Sequence, residues 1–209
     1  MSKKGIIWLV VLGTLIIGLC GLLVYRIFFY HKDLREPKII NVLDTIEDYD
    51  YKLEDRDSKL YESNFKELKT LLSKKEVNDE EYARLLINLF VIDFYTLDNK
   101  NNKYDVGGME FISKDDYFAF KNFAMATYYK NVKDNTYGTR KQKLPNVTSV
   151  NIINIEDTVY NKKYDGYLVD VSWAYDSNYD ASNHANITLV KDNNKLIIVK
   201  VETIDENID

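Results

Sequence analysis

Tyr164-Asp165-Gly166-Tyr167-Leu168-Val169-Asp170-Val171-Ser172-Trp173-Ala174-Tyr175 sets Tyr167, Val169, Val171, Trp173 and Tyr175 on one side of an extended chain, with Leu168, Asp170, Ser172 and Ala174 on the other. A period of two marks a strand with one buried face. Its neighbours read the same way, so 147–160, 164–175, 184–191 and 195–203 are expected to be four consecutive strands. Asp192-Asn193-Asn194 is a hairpin turn between the last two. The first segment changes phase at Ile152-Ile153, which predicts a bulge.

Upstream of Pro145 the period lengthens. From Ser58 to Lys74, Tyr61, Phe65, Leu68, Leu71 and Leu72 share one helical face, and Ser58 is placed to cap it. A second helix starts at Asn78 or Asp79, with Glu80 and Glu81 in its first turn. Its apolar residues, Leu85 to Leu97, wrap most of the way round, so it is expected to be buried between layers. Asp98-Asn99-Lys100-Asn101-Asn102 reads as a solvated polar loop and Val106-Gly107-Gly108 as a turn. Ser113 with Asp116 forms a capping box for a third, aromatic helix running to about Val132. Between Ile39 and Asp55 the alternation of Tyr49, Tyr51 and Leu53 reads as a short strand, with a helix through 39–46 as the other option. Helices followed by an antiparallel meander define an α+β domain, with helices packed on one face of the sheet.

Gly5 to Tyr25 contains no charged side chain. As a helix it is roughly 30 Å long, about the thickness of a bilayer's hydrocarbon core. The run is longer than a signal peptide's apolar core, and Arg26-Ile27-Phe28-Phe29-Tyr30 follows in place of a small-residue cleavage site. Leu19 before Cys20 argues against a lipoprotein signal. A retained anchor is therefore expected, with Trp8, Tyr25 and Tyr30 as interfacial aromatics. The chain divides into an anchor at 1–30, a charged linker at 31–38 and an α+β domain at 39–209. Lys3 and Lys4 precede the anchor, while Arg26, Lys32, Arg35 and Lys38 follow it, so flanking charge alone places the C-terminal side inside.

After the anchor, 25 Lys and Arg face 33 Asp and Glu. That balance, with basic residues spread out, argues against nucleic acid as a partner. Cys20 is the one cysteine, so neither an internal disulfide nor a cysteine zinc site is expected. Enrichment in Lys, Asn, Ile, Asp and Tyr suggests an AT-rich genome such as that of a low-GC bacterium. His31 and His184 lie in no metal-ligand spacing, and neither a phosphate loop, a dinucleotide fingerprint nor a nucleophile elbow occurs. No cofactor or metal is expected.

The order of elements, from about Ile39 to Thr203, resembles the nuclear-transport-factor-like cone fold. With one membrane helix in front, the chain looks most like the anchored assembly domains of type IV secretion and conjugation machines. Tyr51-Lys52-Leu53-Glu54-Asp55-Arg56-Asp57, Phe94-Tyr95-Thr96-Leu97-Asp98-Asn99-Lys100 and Asp105-Val106-Gly107-Gly108 also resemble uncharacterised single-pass proteins of low-GC bacteria. The resemblance implies a curved, cone-like sheet and an extracytoplasmic domain, opposite to the charge reading. It also implies a non-enzymatic role binding other envelope proteins, and homo-oligomers fall within it. The alternative is a tethered enzyme or small-ligand-binding domain that uses the cone interior.

Asp93 is the candidate for chemistry. It interrupts Phe90-Val91-Ile92-Asp93-Phe94-Tyr95, where burial would raise its pKa and suit it to acid or base work. The simpler expectation is that Asp93 faces a loop and accepts backbone hydrogen bonds. Asp170, beside Ser172, is expected on the solvent face, and most of the 17 tyrosines are expected to pack in the core.

Overall fold

The computed structural model describes residues 3–30, 36–179 and 181–204. The chain forms two compact units, 1–37 and 38–209. In the first, helix α1 spans Lys3–Tyr30. Its stretch Lys3–Arg26 is long and apolar enough to cross a bilayer, and none of its described side chains is buried. Most of the expected linker, 31–35, lies outside the described residues.

The second unit is α+β. Strands β1 (Val42–Ile46) and β2 (Tyr51–Glu54) form an antiparallel hairpin, so the helix option for 39–46 is wrong. Tyr49 lies in a 3-10 turn, Glu47–Tyr49, and Asp50 takes a left-handed conformation (φ 56°) to reverse the chain. The hairpin is tied to the core by Tyr51 and Tyr82, whose hydroxyl oxygens are 2.7 Å apart.

Helix α2 is Lys59–Leu72, and Ser58 Oγ accepts the Tyr61 N–H at 3.2 Å. Helix α3 is Asp79–Tyr95, capped by Asn78 Oδ1 accepting from Glu81 N–H at 2.9 Å. As its composition predicts, α3 is buried nearly all round, between α2 and the sheet. Helix α4 covers Tyr117–Ala126, shorter than expected. The capping box is absent: Ser113 contributes its carbonyl to Asp116 N–H at 3.1 Å, and no side chain caps the helix. At the other end Tyr129 N–H donates to the Ala124 carbonyl at 3.0 Å, a wide turn that closes the helix before Val132. The turn sends the Tyr129 hydroxyl inward to the Phe94 carbonyl, 2.6 Å away.

Strands β3 (Val147–Tyr160), β4 (Tyr164–Tyr175), β5 (His184–Asp192) and β6 (Lys195–Thr203) form a curved antiparallel sheet in sequence order. Register shifts at Ile152/Asn154 and Thr188/Leu189 add bulges that bend it, the first where the change of phase predicts one. Asp192 pairs with Lys195 across a two-residue turn. Val169, Val171 and Trp173 point into the core, as the alternation requires. The Trp173 ring stacks on Tyr95 with centroids 4.1 Å apart. Phe90, Phe94 and Phe111 fill the space between α3 and its neighbours at 0–1% exposure.

Candidate functional site

Asp93 lies in the last turn of α3, where the helix runs into the Asp98–Asn102 loop. Both carboxylate oxygens are engaged. Oδ1 accepts from Lys100 Nζ, and Oδ2 accepts the Gly108 N–H at 2.5 Å. Lys100 is fully buried, so it is not the solvated loop residue its polar surroundings suggest. A buried ammonium needs a partner charge, and Asp93 is that charge. The loop is held from the other side by Arg140, which donates to the Lys100 carbonyl at 2.8 Å and the Asp98 carbonyl at 2.6 Å.

The glycines of the 106–108 turn make this approach feasible. A Cβ on Gly107 would sit 2.5 Å from the Asp93 carbonyl oxygen. Gly108 has φ 69°, a conformation glycine adopts without penalty, and its place against the Phe90 ring leaves no room for a side chain.

Beside Asp93 a pocket of about 380 Å³ opens between the β1–β2 hairpin, the start of α2 and the 106–110 turn. Asp57, Glu110, Lys52, Arg56 and Tyr61 line it with Asp93. Arg56 is neutralised within the wall, by Glu54 at 2.7 Å and Asp105 at 2.5 Å. Burial pushes against ionisation of Asp105, yet Arg56 holds its carboxyl below the usual range. Asp57 accepts the Glu54 N–H at 2.6 Å and, among the described residues, forms no ion pair. Desolvation, reinforced by the Asp93 charge, raises it to about 6. Glu110 is an exposed residue whose carboxyl turns in to 3.5 Å from the Tyr61 hydroxyl. Desolvation and Asp93 push that carboxyl up to about 8.

These two shifts fix a pH dependence. A carboxyl raised in the folded state keeps a proton that the unfolded chain has already lost, so stability falls as pH rises between the two pKa values. The ordinary values are 3.8 for Asp57 and 4.5 for Glu110. The contribution of these two carboxyls to the stability of the 38–209 unit should therefore fall from about pH 4 to about pH 8, while carboxylates held below their usual range, such as Asp105 and Glu81, contribute with the opposite sign at the acid end. Asp57→Asn with Glu110→Gln should remove that fall, so the thermal midpoint of the double variant should gain on that of the wild type as pH rises. A midpoint difference between the two that does not grow with pH over this interval contradicts the assignment.

The structure thus places Asp93 at a pocket and also uses it to anchor two loops. Asp57, Glu110, Lys100 and Arg140, which complete its surroundings, carried no signal in sequence. Asp57, Lys100 and Arg140 sit in polar stretches indistinguishable from solvated turns, and Glu110 is a lone acid between Met109 and Phe111. Among the described residues no cluster of three or more His, Cys, Asp and Glu side chains is placed to hold a metal ion. Elsewhere, His184 Nε2 lies 2.6 Å from Asp170 Oδ1 on the outer sheet face. Asp170 therefore lies on the outer face, as the alternation with Val169 and Val171 predicts, and is half-buried there by its pairing with His184 across β4 and β5. Ser172 pairs with His184 in that register, but no hydrogen bond joins its hydroxyl to the ring among the described residues.

No protein-family model, curated protein or solved structure matches the chain.

Proposed function

We propose that this chain is a single-pass membrane protein whose C-terminal domain is extracytoplasmic and binds other envelope proteins without catalysing a reaction. The observation that carries this reading is the filled interior. Phe90, Phe94, Phe111, Tyr95 and Trp173 occupy the space under the curved sheet at 0–3% exposure, where a cone-like enzyme would hold its substrate. Asp93, the one acid in that stretch of helix, spends both oxygens on Lys100 and Gly108. The curved antiparallel sheet with helices packed on it supports a cone-like reading of the fold.

Surface chemistry supports protein binding. Short helix α4 leaves Phe118 at 76% and Phe123 at 58% exposure, and an apolar cleft of about 240 Å³ runs between Phe120, Phe123 and β6 residues 198–201. Exposed aromatics beside a cleft are typical of interaction surfaces. The pocket beside Asp93 favours a second reading, capture of a small cationic ligand by Asp57 and Glu110.

Photoreactive phenylalanine analogues at positions 118 and 123 of the full chain test the first reading in cells. Discrete adducts with other membrane or envelope proteins are expected. Absence of adducts, together with turnover of a small substrate that Asp93→Asn abolishes, would contradict it.

A further inference from the structure

Lys38, the first residue of the second unit, donates its N–H to the Thr136 carbonyl at 2.7 Å. The chain therefore enters the domain at the loop that precedes β3. Side chains brace this loop into a platform. Arg140 donates to the carbonyls of Asp98, Lys100 and Lys133. Gln142 accepts the Lys133 N–H and donates to the Asn131 carbonyl. Asn135 N–H donates to the Asn101 carbonyl at 2.6 Å, which ties the Asp98–Asn102 loop to the same platform.

The platform reverses the charge balance of its domain. Acids outnumber bases after the anchor, yet 130–143 carries four lysines and Arg140 against one acid, Asp134. Asp134 is turned back on the loop, accepting the Thr136 N–H at 3.0 Å and the Thr136 hydroxyl at 2.6 Å. The Arg140 guanidinium is buried beside Asp98 at 3.7 Å. Lys130, Lys133, Lys141 and Lys143 are exposed, and among the described residues none of them joins an ion pair. Two tyrosines accompany them: Tyr137 is 51% exposed and Tyr104, in the neighbouring loop, 61%. Lysines with exposed tyrosines suit a lipid headgroup region, where phosphates attract ammonium groups and amphipathic rings collect.

We infer that this lysine platform docks on anionic lipid headgroups of the membrane that holds α1. Eight residues of chain separate Lys38 from Tyr30, where α1 ends. Fully extended, they span at most about 29 Å. A tether that short holds the lysines and the headgroups at high effective concentration, which favours lipid over a soluble polyanion as the occupant. The attraction of lysines to a negative surface decays within a Debye length, so it acts only when the platform lies close to the membrane. The inference rests on the reading of α1 as an anchor. It is independent of which side of the membrane the domain occupies and of what else the domain binds.

The test uses the full chain reconstituted into vesicles, with Cys20→Ser removing the native thiol and a fluorophore on Thr139→Cys, an exposed position in the loop. Flotation with the vesicles checks the anchor separately. A nitroxide carried on lipid headgroups should quench the probe about threefold more in vesicles with about 30% phosphatidylglycerol than in pure phosphatidylcholine. The difference should vanish in about 1 M salt, where the Debye length falls to about 3 Å. Lys130→Gln, Lys133→Gln, Lys141→Gln and Lys143→Gln together should abolish it with an unchanged denaturation midpoint. If the four lower the midpoint, Lys141→Gln with Lys143→Gln replaces them and should at least halve the difference. The same probe on Val159→Cys, roughly 40 Å along β3 from Val147, should show no such difference. Equal quenching in the two vesicles, a difference that survives the glutamines, or an equal one at Val159→Cys would overturn the inference. So would shielding of the Thr139→Cys probe that appears only when a soluble polyanion is added.

Discussion

Asp93→Asn should destabilise the 38–209 unit by about 3–5 kcal/mol, the range for breaking a buried ion pair by removing one partner. Asparagine keeps an oxygen for the Gly108 N–H but cannot balance the charge on Lys100, which has no exposed surface. The loss should reach both loops that Asp93 joins, because Lys100 lies in the Asp98–Asn102 loop and Gly108 in the turn before α4. Removing the stranded charge should help: Lys100→Met in the Asp93→Asn background should recover part of the loss, since paired removal avoids leaving a buried ammonium alone. Urea denaturation of the three variants measures this as a coupling. A small cost for Asp93→Asn, with no recovery in the double variant, would mean that Lys100 reaches water and that Asp93 is free for another task.

Trp173→Ala should cost about 3–5 kcal/mol, the range for truncating a large buried aromatic. Trp173 is 3% exposed and stacks on Tyr95 at 4.1 Å between the ring centroids, so its loss opens a cavity between sheet and α3. For a domain of this size that corresponds to a fall of roughly 6–20 °C in Tm. Trp173→Phe should cost less, because a ring still faces Tyr95. An unchanged midpoint and slope for Trp173→Ala would mean that Trp173 packs against nothing.

The elements that sequence foretells here are those whose cause is local. Alternation along Tyr164–Tyr175, the apolar stripe and Ser58 cap of α2, and the all-round burial of α3 depend on residues a few positions apart. The same is true of the phase change at Ile152-Ile153, which becomes a register shift. The exceptions have distant causes. Helix α4 stops at Ala126 because the Tyr129 hydroxyl bonds the Phe94 carbonyl and accepts from Gly107 N–H, contacts spanning 35 and 22 positions. Ser113 resembles a cap but lies where the chain pairs with β6, so its backbone serves the sheet. Asp93 stood out in sequence as an acid in an apolar helix. Its partner Lys100, only seven positions on, did not, because nothing local separates a lysine drawn into the core from one left in water. Asp57 and Glu110 join the site only when the hairpin and the 106–110 turn fold against α2 and α3.

The central claim is that α1 is retained and holds the second unit outside the cytoplasm. Its most direct test is protease added to intact cells stripped of their wall, followed by mass measurement of what is left and of the untreated protein. The account predicts an untreated protein that still contains Gly5–Tyr25, and digestion of 38–209 from outside without lysis. A mature protein lacking that segment, or a domain protected until the membrane is broken, would contradict it.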